Sequence, residues 1–542
     1  MKMQKDYYKN YSFAVELFKK NNFKKVIEVC NKIIKMKINN EEIHYLMAMA
    51  LAQLKNYEEA LVEIEKAIEL NNKKLILHLY KGNINREIKN YEKALTSFQK
   101  VLEQDSENEE ALYWIAVTMY QMGQKQSALN VLNSLAINDK NDKNDKVVLL
   151  KAKCLEDLLS FNEALSEYDK LLTKNSKDVK SILAKSDLLR RMFRYEAAIE
   201  LAIKATSLEE KNINCYLMQS VIYKDTQDIQ KSLMMLDAGL KIKPNSEQAN
   251  FNKSIILLQS GELKKGWDFY EWRWKISEWT SVPLKSKNPL WNGQKNSILY
   301  LWPEQGIGDE VMFASILEDV KKDVKKLIVK IDERLIDIYT RSFENIKFIS
   351  SKENFDEQDY EFHLPIGSLP RFYRNNLSDF IGKNDSYLKT NQIIDKKISI
   401  EFNKYNNKRK IGVSWKSKNP LSGLKRSAEL LDIINYINDS EAVFVNLQYG
   451  DVSSEISDVR KKGFVILENK NIDNMKNIDG LLSMINQCDE VVSIDNSTVH
   501  FAGAIGKKTE VLMHESADFR WEMQGNTTKW YKSLSLKRNI IV

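Results

Sequence analysis

The stretch NYEEALVEIEKAIELN at residues 56–71 returns as NYEKALTSFQKVLEQD at residues 90–105, the same register displaced by 34 residues. A fixed period of that length marks stacked helix pairs rather than one closed core. The spacing carries a ladder of small residues through the first half of the chain: Val26, Ala60, Ala94, Ala128, Ala164, Ala198, Ser232 and Gly266. One step, Ala128 to Ala164, is 36 residues long; it holds the polar tract 138–146 and reads as a two-residue loop insertion. Each unit reads as two amphipathic helices, with the ladder residue in the second, where only a small side chain lets the partner helix approach closely. A bulky residue stands three positions before the rung, as in Phe23, Tyr57, Tyr91, Phe161 and Tyr195, and a packing position follows four after it, as in Ile64, Phe98, Leu132, Tyr168 and Leu236.

Composition divides the chain in the same region. Of 18 glycines only Gly82, Gly123, Gly239, Gly261 and Gly266 precede residue 270, and of seven prolines only Pro244 precedes Pro283. Turn chemistry therefore gathers in the second half, as a strand-bearing fold requires. A chain of 542 residues is also too long for a single core. Its 82 basic and 75 acidic residues are spread evenly, and short basic runs such as 408–410 read as solvated faces, so nucleic acid is not an expected partner. Cys30, Cys154, Cys215 and Cys488 are too scattered for a disulfide framework or a metal knuckle, which fits a reducing cytosol. No apolar run approaches the ~20 residues of a membrane span, and residues 1–8 lack the apolar stretch expected of a secretory signal. A cytoplasmic protein without a transmembrane segment is expected, with peripheral membrane contact left open.

The repeat pattern resembles the tetratricopeptide repeat, which implies an all-α solenoid of about eight repeats over residues 1–275 whose concave face grips a protein partner. The last repeat runs into GWDFYEWRW at residues 266–274, too aromatic for a solvent-facing end, so these rings are expected to bury against the next domain at a rigid joint.

Beyond residue 297 short apolar strands alternate with helices: SILYLW, KLIVKI and IKFIS, then KIGVSW, AVFVNLQ, FVILEN, EVVSID and TEVLM. That alternation argues for parallel sheets in two Rossmann-like lobes, assigned to residues 276–395 and 396–542. Ligands of such sheets sit at the carboxyl ends of the strands, so the chemistry is sought in those loops. The first, residues 303–310, carries Gly306 and Gly308 for close backbone approach, and Asp309 at the helix start either faces the cleft or caps the helix. The second follows Asp495, where Asn496, Ser497 and Thr498 offer amides and hydroxyls at a helix N-terminus suited to a diphosphate. His500, one turn inside, either bonds a phosphate or fills a core position. The third carries Lys416, Lys418, Lys425 and Arg426 around a Pro420/Gly423 loop, where a cation would neutralise a departing diphosphate; Arg426 and Lys416 are the preferred candidates.

Taken together, GWDFYEWRW, EQGIGDEVMFAS, IGVSW with its basic loop, VVSIDNSTVHFAGAIGK, DFRW and WYKSLSLKR resemble the bacterial proteins in which tetratricopeptide repeats precede a glycosyltransferase domain similar to the lipopolysaccharide heptosyltransferases. The resemblance implies an α/β GT-B module in which Asp309 is the base on the acceptor hydroxyl. Asp495 would contact the donor sugar, and Ser497, Thr498 and His500 with Lys416 or Arg426 would hold the diphosphate. It implies an inverting, metal-independent hexosyl- or heptosyltransferase that needs no cofactor beyond its nucleotide-sugar substrate and acts on a protein or glycan hydroxyl. Asn496 and Ser497 stand where those enzymes commonly have threonine and glycine, so the sugar does not carry over. The competing reading is a non-catalytic adaptor with a silent transferase-like domain; an oxidoreductase is disfavoured because GxGxxG is absent.

Overall fold

The computed structural model describes the chain except for residues 1, 37–39, 139–143, 278, 384, 418–425, 514–517 and 541–542. Most of the polar tract 138–146 and the loop residues Lys418, Pro420, Gly423 and Lys425 therefore lie outside the described residues.

Among the described residues, sixteen helices follow one another from Lys2 to Tyr270, packed as pairs such as Glu41–Gln53 with Tyr57–Leu70 and Leu75–Glu87 with Tyr91–Leu102. The ladder residues Val26, Ala60, Ala94, Ala128, Ala164, Ala198 and Ser232 are all fully buried. How tight these contacts are is plain at Gly82 on the facing helix, where a Cβ would stand 2.4 Å from Phe98 Cε1. The turn inside each pair has a period of its own. Asn21, Lys55, Lys89, Gly123, Leu159, Phe193, Gln227 and Gly261 all adopt positive φ, each five residues before a rung of the ladder. Six of the eight are not glycine, so packing holds side chains in a region that costs roughly 1–2 kcal/mol each. Because Leu159 still precedes Ala164 by five, the two extra residues fall between pairs and leave the turn within the pair unchanged.

Six helix pairs belong to the compact unit Met1–Glu209. The last two, Ile213–Asp225 with Ile229–Ile242 and Glu247–Gln259 with Leu263–Tyr270, belong with both sheets to the unit Glu210–Val542. The change from helix pairs to sheets near residue 275 and the boundary between compact units at residue 209 thus fall in different places.

In the second unit, β1 (Ile298–Trp302), β2 (Lys326–Ile331), β3 (Lys347–Ser350) and β4 (Phe362–Pro365) form a sheet in the order β3-β2-β1-β4. The other sheet contains β5 (Lys410–Ser414), β6 (Val443–Asn446), β7 (Ile466–Leu467), β8 (Glu490–Ile494), β9 (Thr509–Met513) and β10 (Leu534–Arg538), in the order β10-β9-β8-β5-β6-β7. Every neighbouring pair is parallel. Strand order reverses between β1 and β4 in one sheet and between β5 and β8 in the other, the places where crevices open in such folds. One core runs from Trp267 and Tyr270 through Leu299 and Phe313 to Val499, Val511 and Trp530 and joins one face of each sheet to the last helix pair, while the opposite faces pack in separate clusters around Tyr300 and around Phe444.

The joint between helix and sheet is a buried ion cluster. Arg273, fully buried, donates Nε to Glu304 Oε2 at 2.7 Å, Nη2 to Glu304 Oε1 at 2.8 Å and to Ser368 Oγ at 2.8 Å, and Nη1 to Glu271 at 2.8 Å. Its guanidinium lies over the rings of Tyr270 and Trp274, and Trp267 Nε1 donates to the Arg374 carbonyl at 2.9 Å. Glu304 is seated so closely that a Cβ on Gly367 would lie 2.3 Å from its Oε1. Removing only one partner would leave a buried charge without compensation, which costs about 3–5 kcal/mol. Arg273→Met is expected to lower the unfolding free energy of the second unit by that amount in denaturant titrations, and Arg273→Met/Glu304→Gln to recover most of the loss.

Candidate functional site

The loop after β1 and the loop after β8 open into one hollow of about 880 Å³ within the unit Glu210–Val542. Its lining includes Gly306, Gly308 and Asp309 from the first loop, Asp495, Asn496, Ser497 and His500 from the second, and Arg426. Each loop feeds a short helix, Ile307–Ala314 and Ser497–Ala504, and these two helices pack on each other. They can do so because residue 308 lacks a side chain: a Cβ there would stand 2.9 Å from His500 Cδ2. Gly306 has a different role. It precedes the helix in extended backbone with nothing within 4 Å of an added Cβ, and the left-handed residue of the turn is Gln305, at φ 62°. Gln305 is held there by hydrogen bonds from its amide to Ser281 Oγ at 2.8 Å, from its Nε2 to the Tyr270 hydroxyl, and from Arg520 to its Oε1 at 3.2 Å.

Asp309 does not cap its helix with its side chain. Its Oδ1 accepts from Arg520 Nε at 2.7 Å and sits 2.5 Å from Nη2, with the carboxylate only 12% exposed. Burial pushes the Asp309 carboxyl above its ordinary range against the pull of Arg520. Arg520 continues the chain of charge: its Nη1 is 2.8 Å from Asp518 Oδ2, Arg426 Nη2 is 3.3 Å from the same oxygen, and Arg426 Nη1 is 3.2 Å from Asp495 Oδ2. Five side chains of alternating sign therefore span the hollow from Asp309 to Asp495. Among the described residues, no group of three or more His, Cys, Asp and Glu side chains is placed to hold a metal ion.

The turn after β8 is tied down by its own polar groups. Asn496 accepts from the Thr498 amide at 3.0 Å and donates to Ser414 Oγ at 2.8 Å and to the Lys416 carbonyl at 3.3 Å, joining the ends of β5 and β8. Two of the expected donor contacts stand apart from the hollow. The Thr498 amide is taken by the Asn496 cap, and the residue lies outside the lining of the hollow. Lys416 also lies outside it, with its ammonium 2.9 Å from Glu455 and its amide donating to Gln448. His500 shares a hydrogen bond with the Tyr531 hydroxyl at 2.9 Å and stacks on Trp521, so it is both a core residue and part of the lining. Sequence reasoning did not single out Asp518 and Arg520 as site residues, although they lie in the quoted DFRW motif. It also missed Lys224, Phe251, Ile255 and Gln259, which bring the last two helix pairs into the wall of the hollow. Only the aromatic density around Tyr270 hinted at that involvement.

Burial pushes the His500 imidazole down to about 3, so the ring is neutral in the folded state near neutrality. The unfolded chain takes up its proton near pH 6.5, so this histidine contributes its full stability above that pH and loses it as pH falls toward 3. Denaturant midpoints are expected to fall more steeply between about pH 7 and about pH 4.5 in the native protein than in His500→Gln.

A family model described as anaphase-promoting complex, cyclosome, subunit 3 matches residues 1–67 and 87–171. Protein FlbA of Caulobacter vibrioides is 26% identical over 341 residues, which cover 57% of this chain; the chain spans 55% of that relative's length. The C-terminal part of a TPR repeat-containing protein from Cytophaga hutchinsonii aligns at 19% identity over 45% of this chain and 98% of its own, with a TM-score of 0.35. A tetratricopeptide repeat protein from Parabacteroides merdae aligns at 16% identity over 46% of this chain and 97% of its own, with a TM-score of 0.40. The helix pairs of 34 residues through Tyr270 are tetratricopeptide-like repeats, followed by a region of parallel sheets. No helix among the described residues is long and apolar enough to cross a membrane.

Proposed function

We propose that the protein is a glycosyltransferase of the GT-B kind, moving a sugar from a nucleotide-sugar donor to a protein or glycan hydroxyl with inversion at the anomeric carbon. The observation that carries this reading is the shared hollow, with Asp309 at the end of one sheet and Asp495, Ser497 and Arg426 at the end of the other. In the reaction the Asp309 carboxylate takes the acceptor hydroxyl proton as that oxygen attacks the anomeric carbon. The bond from that carbon to the donor phosphate oxygen breaks, its electron pair leaves on the diphosphate, and the proton later passes from Asp309 to water. The N-termini of the helices Ile307–Ala314 and Ser497–Ala504 both open on the hollow, and their dipoles favour negative charge there. Arg426 supplies positive charge to the leaving group. The repeats, whose last two pairs reach the hollow, would receive the acceptor or a protein partner.

The engagement of Asp309 by Arg520 favours a second reading, an adaptor whose transferase-like domain is silent. Transfer from a nucleotide-sugar panel decides between them. Asp309→Asn is expected to lose at least ~100-fold in turnover while still binding the nucleotide, the scale of a lost general base. Equal behaviour of native protein and variant would leave the adaptor.

A further inference from the structure

Among the described residues lining the hollow there are three carboxylates, Asp309, Asp495 and Asp518, and three cations, Lys224, Arg426 and Arg520. Both guanidiniums are already committed to carboxylates. A diphosphate entering this arrangement would meet acidic side chains whose counter-ions are in use, and a carboxylate held at Oδ1 by Arg520 is a weakened proton acceptor. Two details of the chain offer a way out. The contacts of Arg426, at 3.2 and 3.3 Å, are longer than those of Arg520, at 2.5 to 2.8 Å, and the Arg426 side chain is more exposed, 30% against 14%. Both arginines meet Asp518 at Oδ2, and among the described residues its buried Oδ1 makes no side-chain contact with either.

We propose that Asp309, Arg520, Asp518, Arg426 and Asp495 form a charge relay that couples donor binding to release of the base. The donor phosphate draws Arg426 from Asp518, Arg520 closes as a fork on both oxygens of Asp518, and Asp309 is left free to accept the proton of the acceptor hydroxyl. Asp518 is then a positioning residue, acting on Asp309 through Arg520. The relay rests on the transferase reading above. It does not change the bonds made and broken in transfer, only when the carboxylate becomes available.

Loss of its counter-ion raises the proton affinity of Asp309, so at about pH 6 donor binding is accompanied by fractional proton uptake, and the fraction left ionised acts as the base. The groups facing Asp309 are Arg520 and Asp518 from one loop, Asp495 and His500 from the end of β8 and its helix, Tyr270 from the last repeat helix, Tyr531, and Glu310 on its own helix. The two tyrosines are held protonated by burial, and His500 is already neutral. Asp309→Asn therefore separates uptake at Asp309 from uptake at the other carboxylates.

The test is calorimetric binding of UDP-, GDP-, ADP- and CMP-sugars to the full chain at about pH 6, in two buffers of different ionisation heat, where the difference reads protons taken up. The native protein is expected to take up a proton fraction on binding. Asp309→Asn and Asp518→Asn are both expected to bind with that uptake lost. Asp518→Asn, in which Arg520 stays on Asp309, is also expected to transfer sugar at least about tenfold more slowly. Arg520→Lys, which keeps the charge but cannot form the fork on Asp518, serves if Asp518→Asn proves unstable and is expected to bind with the uptake reduced. Binding without uptake in the native protein, or uptake that persists in Asp309→Asn, would overturn the relay while leaving the transferase reading intact. Binding by no sugar nucleotide would overturn both.

Discussion

Two helix N-termini meet at Gly308, and that contact makes one hollow out of two sheets. The helix after β1 and the helix after β8 both begin at a reversal of strand order, so each would border a crevice by itself. They share one because the absent side chain at 308 lets the His500 ring approach, and the ring is fixed from behind by Trp521 and Tyr531. Everything in the hollow follows from this approach. Asp309 is turned toward Arg520, and the carboxylate after β8 is close enough for Arg426 to bridge it to Asp518.

A second constraint lies behind the first. The Arg273–Glu304 pair is wholly buried, and burying two charges is tolerable only when their hydrogen bonds are filled; Glu271, Ser368 and the Tyr270 carbonyl complete those of Arg273. The cluster fastens the last repeat helix to the end of β1, immediately before Gln305. Tyr270 closes the circuit, since its hydroxyl accepts from Gln305 and its ring lies against Phe519, beside Arg520. The last repeats are thus part of the wall and not an appendage to it, which is why the compact unit reaches back to residue 210.

The parts of the fold that repeat or alternate were open to reading from residues alone. A ladder of small residues every 34 positions reports helix pairs because each contact is local and recurs, and apolar runs between turn residues report strands because each must be buried on both faces. The weakest signals failed. β4 is four residues ending in Pro365, and β10 is a short alternating stretch, so neither stands out, whereas FVILEN reads as a strand and holds β7, paired over two residues. The left-handed residue was equally hidden in the repeat turns other than those at Gly123 and Gly261, because Lys55, Leu159 or Phe193 carries no mark of positive φ when neighbouring helices impose it.

The sequence by itself determined the repeat, the place where helix pairs give way to sheets, and the two loops that follow β1 and β8, since these depend on periodicity and on turn residues close in the chain. Which side chains meet was decided by the tertiary structure alone. The Thr498 amide is paired with Asn496 and the Lys416 ammonium with Glu455, pairings that no local pattern announces. Asp309 and Arg520 stand more than two hundred positions apart, and no local pattern could pair them. The physical reason is that an ion pair depends on distance and burial, quantities that exist only once the chain has closed on itself.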